Sequence, residues 1–247
     1  VDLLNVKEEL IGKIEIISKI PRDRIKKQVA IFSNPHSAPA AEAKPEVRPQ
    51  EKRKKTGQAD IVVIGASTGG PAAIQMIISS LPSGLRVPIV IVQHMPPNFT
   101  HSFAQRLDSL GRLRVKEAEE GDRLWPGQIY VAPGGYNLIA KKGFEANKLY
   151  LESKTEEDRY VPSVDKTMDS LAEIYGKGTL GVILTGMGND GSRGIKTIKS
   201  HGGVALAESE ETAVVYGMPR VPVQLGLIDQ VFPIHDMAEQ IVKLCRP

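Results

Sequence analysis

"IVVIGASTGGPAAIQMI", residues 61–77, runs from a β-branched apolar segment through a glycine turn into apolar residues at helical spacing. Glycines at Gly65, Gly69 and Gly70 suit a tight strand-to-helix junction, because residues without Cβ tolerate unusual backbone angles and close approach. Ser67, at the crest of that turn, admits three roles: part of a phosphate-cradling loop, the N-cap of the helix, or an activated nucleophile.

Working outward, the same alternation recurs. "DIVVIG" (60–65), "PIVIVQH" (88–94) and "TLGVILTG" (179–186) read as buried strands. Each is a short apolar run followed by turn residues and then by helical periodicity, in "PAAIQMIISSL", "FTHSFAQRLDSL" and "SRGIKTIKSHG". This pattern predicts an α/β fold: a doubly wound, mostly parallel sheet with helices on both faces, Rossmann-like in outline. Shorter candidates at "LRVKEA", "QIYVAPG", "YNLIA", "KLYLES" and "GGVALAE" predict a further parallel strand and an added antiparallel hairpin. "SVDKTMDSLAEIYG" and "HDMAEQIVKLC" complete the helices, the first with Ser163 as N-cap.

A chain of 247 residues with 41% hydrophobic content suffices for a substantial core. It holds no run of about 18 apolar residues to span a bilayer and no N-terminal signal pattern, so no membrane insertion and a cytoplasmic location are expected. Cys245 is the only cysteine, which excludes an intrachain disulfide and a paired-cysteine zinc site, and its thiol is expected to be inert. The net charge of +3 is unevenly spread: residues 1–59 carry 13 Lys and Arg against 8 Asp and Glu, leaving 19 against 21 for the rest. The basic excess ends in "EKRKK" and reads as a solvated linker, so no nucleic-acid partner is expected.

The opening "VDLLNVKEELIGKIEIISKI" spaces Leu3, Val6, Leu10, Ile14 and Ile17 as an amphipathic helix does. Its apolar face needs a partner, so residues 1–20 are expected to be the last helix of a truncated upstream domain. Residues 21–59, with five prolines and many charges but no sustained periodicity, are expected to form a flexible linker. The compact domain then spans 60–247.

In an open parallel sheet, ligands bind outside the carboxyl ends of the strands. Three strands end in reactive sequence there: Ser67 after "IVVIGA", His94 after "PIVIVQ", and Asp190 in "TGMGNDG". Gly65 to Gly69 satisfies G-x-S-x-G, in which a sharp turn presents the serine hydroxyl. Neither G-x-G-x-x-G nor the G-K-[ST] ending of a P-loop is present, which weakens the phosphate reading. A serine hydroxyl needs a base, and of five histidines only His94 directly follows a strong buried strand on that edge. Asp190 could hold the imidazole, or it could merely cap the helix that follows, since Asn-Asp-Gly is ordinary turn chemistry.

With these residues in place, the domain closely resembles the C-terminal catalytic domain of the chemotaxis protein-glutamate methylesterases, the CheB family. The resemblance runs from about Asp60 to the end, on "IGASTGGPAAI", "VQHMPPNFTHSFAQRL", "GQIYVAPGGYNL", "PSVDKTMDSLA", "GVILTGMGNDGSRG" and "VVYGMP". It implies a catalytic triad of Ser67, His94 and Asp190, an oxyanion region at Thr68 and Met187, and no metal or organic cofactor. It further implies hydrolysis of glutamate γ-methyl esters on chemoreceptors, with deamidation of receptor glutamines, and a phosphodonor histidine kinase acting through the missing receiver domain. Two positions depart from the family's pattern. Asn137 stands where histidine is common and Val161 where arginine is common, and both are expected to bear on substrate contacts rather than on chemistry.

Overall fold

The computed structural model describes residues 59–246. The helix expected within residues 1–20 and the linker expected over residues 21–59 lie outside them, except Ala59, which is buried and bridges to Cys245. In chain order the described elements are β1 (Ile61–Ala66), α1 (Gly70–Ser80), β2 (Ile89–Gln93), α2 (Phe99–Leu110), β3 (Arg114–Glu117), β4 (Gln128–Val131), β5 (Tyr136–Lys141) and β6 (Lys148–Ser153). They continue with α3 (Val164–Tyr175), β7 (Thr179–Ile183), α4 (Ser192–Ser200), β8 (Val204–Glu208), α5 (Arg220–Gln224), β9 (Gln230–Phe232) and α6 (Ile234–Leu244).

Seven strands form one sheet in the order β3-β4-β2-β1-β7-β8-β9. Every neighbouring pair is parallel. β5 and β6 pair separately as the expected antiparallel hairpin. The main sheet is more parallel than the sequence suggested: "LRVKEA", "QIYVAPG" and "GGVALAE" all join it. β9 and α5 were not anticipated, because a three-residue edge strand and a five-residue helix carry no periodicity to recognise.

β1 is buried on both faces, which its unbroken apolar run requires. Strand side chains alternate, and the two cores follow that alternation. Val62, Ile64 and Ala66 face a core closed by Ile74, Ile77 and Ile78 of α1, Leu107 of α2 and Ile241 of α6. Ile61 and Val63 face the opposite core, closed by Met168 and Leu171 of α3, Ile195 and Ile198 of α4, and Leu138 and Leu149 of the hairpin. Each fully buried side chain of this size contributes roughly 1.5–3 kcal/mol.

The glycines of the opening stretch divide their work. Only Gly69 has the left-handed conformation, φ +84°. Gly65 lies inside β1, and a Cβ there would fall 2.3 Å from Val164 Cγ1, the first residue of α3. It is a packing glycine that lets α3 start hard against the sheet. Overpacking costs typically about 1–3 kcal/mol, so Gly65→Ala is expected to lower unfolding free energy by about that much in a denaturant titration.

Candidate active site

Ser67 and His94 each lie one residue beyond the last register pair of β1 and β2, Ala66 and Gln93. The His94 N–H still donates to the Ala66 carbonyl at 3.1 Å. Neighbouring strands run about 4.8 Å apart, so the two residues leave the sheet side by side. Buried Gln93 ties them together, its Nε2 donating to the carbonyls of Ser67 at 2.9 Å and His94 at 3.2 Å. On the other side the Ser67 N–H donates to the Thr185 carbonyl at 3.0 Å, which brings in the loop after β7.

The N-cap of α1 is Gly69, with no side-chain capping bond. The Ser67 hydroxyl therefore has no capping task. Nor do the Thr68 and Met187 N–H groups donate to any protein acceptor among the described residues.

Asp190 is buried, and its surroundings explain why. Its Oδ2 accepts from His94 Nε2 at 2.8 Å and from the Val164 N–H at 2.8 Å. Its Oδ1 accepts from the Asp165 N–H at 3.0 Å, the Gly191 N–H at 3.1 Å and the Ser163 hydroxyl at 3.2 Å. Val164 and Asp165 are the first two residues of α3, whose unpaired N–H groups and positive dipole end favour an anion. Burial works to raise the Asp190 carboxyl. The hydrogen bond and charge of His94, with the N–H groups of Asp165 and Val164, outweigh it and hold the group below its ordinary value.

Asp190 serves chiefly the helix before it, giving the one that follows only the 3.1 Å contact with the Gly191 N–H. The start of α4 is held instead by Asp165 of α3, whose Oδ1 accepts from the N–H groups of Gly191 and Gly194, each at 2.8 Å. Burial, with the nearby charge of Asp190, raises the Asp165 carboxyl against the lowering by Gly194. Each helix thus receives at its amino end a carboxylate supplied by the other's segment.

His94 has one further contact. Its ring lies parallel to that of Tyr160, centroids 4.7 Å apart and planes within 6°. Tyr160 sits on a loop anchored by Asp158, which accepts from Lys166 Nζ at 2.6 Å and Asn137 Nδ2 at 3.0 Å. Lys166 holds the Asp158 carboxyl down at about 2. Asn137 is fully buried and its Oδ1 also accepts from the Ser163 N–H at 3.0 Å, so it braces this loop from within.

The three strand-end residues thus share one edge, with His94 and Asp190 directly joined. No hydrogen bond joins the Ser67 hydroxyl to His94 among the described residues. Contacts of this kind are often long without substrate and tighten on binding. Sequence reasoning missed Gln93, Tyr160, Asp165 and Glu208 as parts of the site's support. Only Gln93 left a signal, as a polar residue closing an otherwise apolar strand. Among the described residues no group of three His, Cys, Asp or Glu side chains could hold a metal, and no helix is long and apolar enough to cross a membrane. Burial pushes the Cys245 thiol up to about 12, which keeps it protonated and unreactive.

A parallel α/β domain with a hydroxyl, an imidazole and a buried carboxylate at the ends of three adjacent strands is of the enzyme class. The chain belongs to the CheB methylesterase family, whose model matches residues 62–241. It is 39% identical over 253 residues to a Geobacter sulfurreducens protein named protein-glutamate methylesterase/protein-glutamine glutaminase 3, covering 99% of this chain and 68% of that one. It is likewise 39% identical to the Archaeoglobus fulgidus protein-glutamate methylesterase/protein-glutamine glutaminase, covering 98% of this chain and 66% of the relative. The crystal structure of the Thermotoga maritima CheB methylesterase catalytic domain matches with 46% identity and a TM-score of 0.73, covering 75% of this chain and 98% of that one.

Two substitutions test the electrostatics. At an ordinary cap, asparagine would replace Asp190 with little loss of stability. With both carboxylate oxygens accepting, its NH2 must instead face a donor. A buried donor left unpaired costs about 1–3 kcal/mol, so Asp190→Asn is expected to lower the melting temperature measurably.

The second is Glu208, whose carboxylate accepts from the Thr185 N–H at 2.8 Å and the Thr212 hydroxyl at 2.9 Å. Burial raises it to about 7, against the lowering by those two donors. The folded protein then holds this proton more tightly than the unfolded chain, so its stabilisation is full below about 4.5 and is lost as pH rises to about 7. Glu208→Gln removes that dependence. The melting temperature of the variant, relative to the parent, is expected to climb across this window and to level off above it.

Proposed function

We propose that the domain is a serine hydrolase that demethylates glutamate γ-methyl esters on the cytoplasmic helices of chemoreceptors and deamidates receptor glutamines, with Ser67, His94 and Asp190 as its triad. The observation that carries this reading is the 2.8 Å bond from His94 Nε2 to buried Asp190 Oδ2, on the strand beside Ser67. Since Nε2 is engaged, Nδ1 is the nitrogen available as base, the reverse of the serine-protease arrangement in which Nδ1 faces the aspartate.

Ser67 Oγ attacks the ester carbonyl carbon while His94 Nδ1 takes its proton. Asp190 stabilises the imidazolium that forms and fixes its tautomer. The N–H groups of Thr68 and Met187, which spend no bond on the described residues, receive the oxyanion. The carbon–oxygen bond to the leaving group then breaks, and His94 returns its proton to give methanol and an acyl-Ser67. Water repeats the sequence, leaving glutamate and restoring the serine. A glutamine side chain follows the same path with ammonia leaving. The names of the relatives, which pair methylesterase with glutaminase, support both outcomes. The family resemblance assigns activation to a phosphodonor kinase acting through a receiver domain joined by the linker of residues 21–59.

A binding module would have no need of an activated hydroxyl. A phosphonofluoridate is expected to label Ser67 in the parent and not in Ser67→Ala, and methylated receptor membranes are expected to release methanol only with the parent. Asp190→Asn should lose roughly 10²-fold or more in methanol release; the corresponding change in serine proteases costs about 10⁴ in kcat. Release within about threefold of the parent would remove Asp190 from the mechanism.

A further inference from the structure

We infer that Tyr160 is a positioning residue that sets the plane of the His94 imidazole, and through it the direction of Nδ1. This rests on the proposed role of His94 as base. The hydrogen bond to Asp190 fixes Nε2, and the backbone bond to Ala66 fixes where the residue leaves the strand. Neither fixes the ring plane closely, because a hydrogen bond tolerates tens of degrees of misalignment. The line from Cγ to Nε2 runs close to the Cβ–Cγ axis, so rotation about χ2 leaves Nε2 nearly in place while sweeping Nδ1 through an arc. The χ2 torsion of histidine is broad and has no strong preference of its own. A flat surface against the ring supplies that missing restraint.

Tyr160 is such a surface. Its ring is within 6° of parallel at 4.7 Å, an offset stack of the favourable kind. It is itself held on several sides. Its hydroxyl lies against Gly188, where a Cβ would come within 2.5 Å of it. The Arg159 guanidinium lies 5.4 Å from the ring centroid. Two residues before it, Asp158 is bound to Lys166, Asn137 and Thr155. Three residues after it, the Ser163 N–H is bound to Asn137. The loop is therefore locked at both ends, and the ring it carries is a fixed wall. Gly188 follows Met187, so the same side chain also spans from the imidazole to the loop proposed to receive the oxyanion.

The stack belongs to the ring and not to its hydroxyl, which separates two variants of the full chain. Labelling by a phosphonofluoridate, in which Ser67 Oγ displaces fluoride at phosphorus and its proton passes to His94, reports the base directly. Small misplacements of a reacting group cost up to about 10²-fold. Tyr160→Leu is expected to lower the maximal labelling rate about tenfold or more with half-saturation unchanged, whereas Tyr160→Phe stays within about twofold of the parent. In NMR, the His94 ring resonances should broaden in Tyr160→Leu and stay sharp in Tyr160→Phe. Melting curves check that both variants fold. A folded Tyr160→Leu that labels at the parent rate, or keeps the parent's ring resonances, overturns the assignment. Failure of the parent to label overturns the serine mechanism instead, and the ring resonances then decide Tyr160 alone.

Discussion

Two carboxylates exchanged between two helix starts hold this site together. Asp190, just before α4, accepts the first N–H groups of α3, and Asp165, in the first turn of α3, accepts those of α4. Asp190 is buried and Asp165 partly so, and each carboxylate lies at the dipole end of the other helix. Neither can be placed unless both helices are docked on the same face of the sheet. Gly65 and Gly191 permit that docking, since a Cβ at either would strike Val164. The ionised state of Asp190, its burial and its reach to His94 are thus products of one packing arrangement rather than of a local turn.

A second constraint runs across the sheet. Thr185 links three segments: its carbonyl accepts from Ser67, its N–H donates to Glu208, and its hydroxyl donates to the Thr68 carbonyl at 2.9 Å while accepting from the Val215 N–H. The serine turn therefore stands between two polar clamps, Gln93 on the β2 side and Thr185 on the β7 side. The proposed nucleophile, held this way, requires little reorganisation when charge develops beside it.

The long buried strands and amphipathic helices were legible in the sequence because their signals are periodic and local. "FTHSFAQRLDSL" matches α2 residue for residue, and Ser163 caps α3 as its position suggested. The edge choice for Ser67, His94 and Asp190 followed from strand ends alone. What escaped were relations between segments far apart in the chain. Asp190 capping a helix that starts 26 residues earlier has no sequence pattern. Asn137 read as a position bearing on substrate contacts because it departs from a family motif, yet it is buried and braces the Tyr160 loop. Stacking of Tyr160 on His94 left no trace at all, since an aromatic before Val-Pro-Ser is unremarkable in composition.

One modest pairing joins the start of the catalytic domain to its last helix. Ala59 donates to the Leu244 carbonyl at 2.6 Å and accepts from the Arg246 N–H at 3.1 Å, so the segment leading into β1 and the one leaving α6 meet at the amino edge of the sheet. The carboxyl edge, six strand residues away along β1, is built only of interior loops. At about 3.3 Å per residue that is roughly 20 Å of separation. Ends that lie close together can be joined and the chain reopened elsewhere. This topology makes the domain a closed cartridge: it can be spliced into longer polypeptides, or circularly permuted, through the face opposite the proposed site.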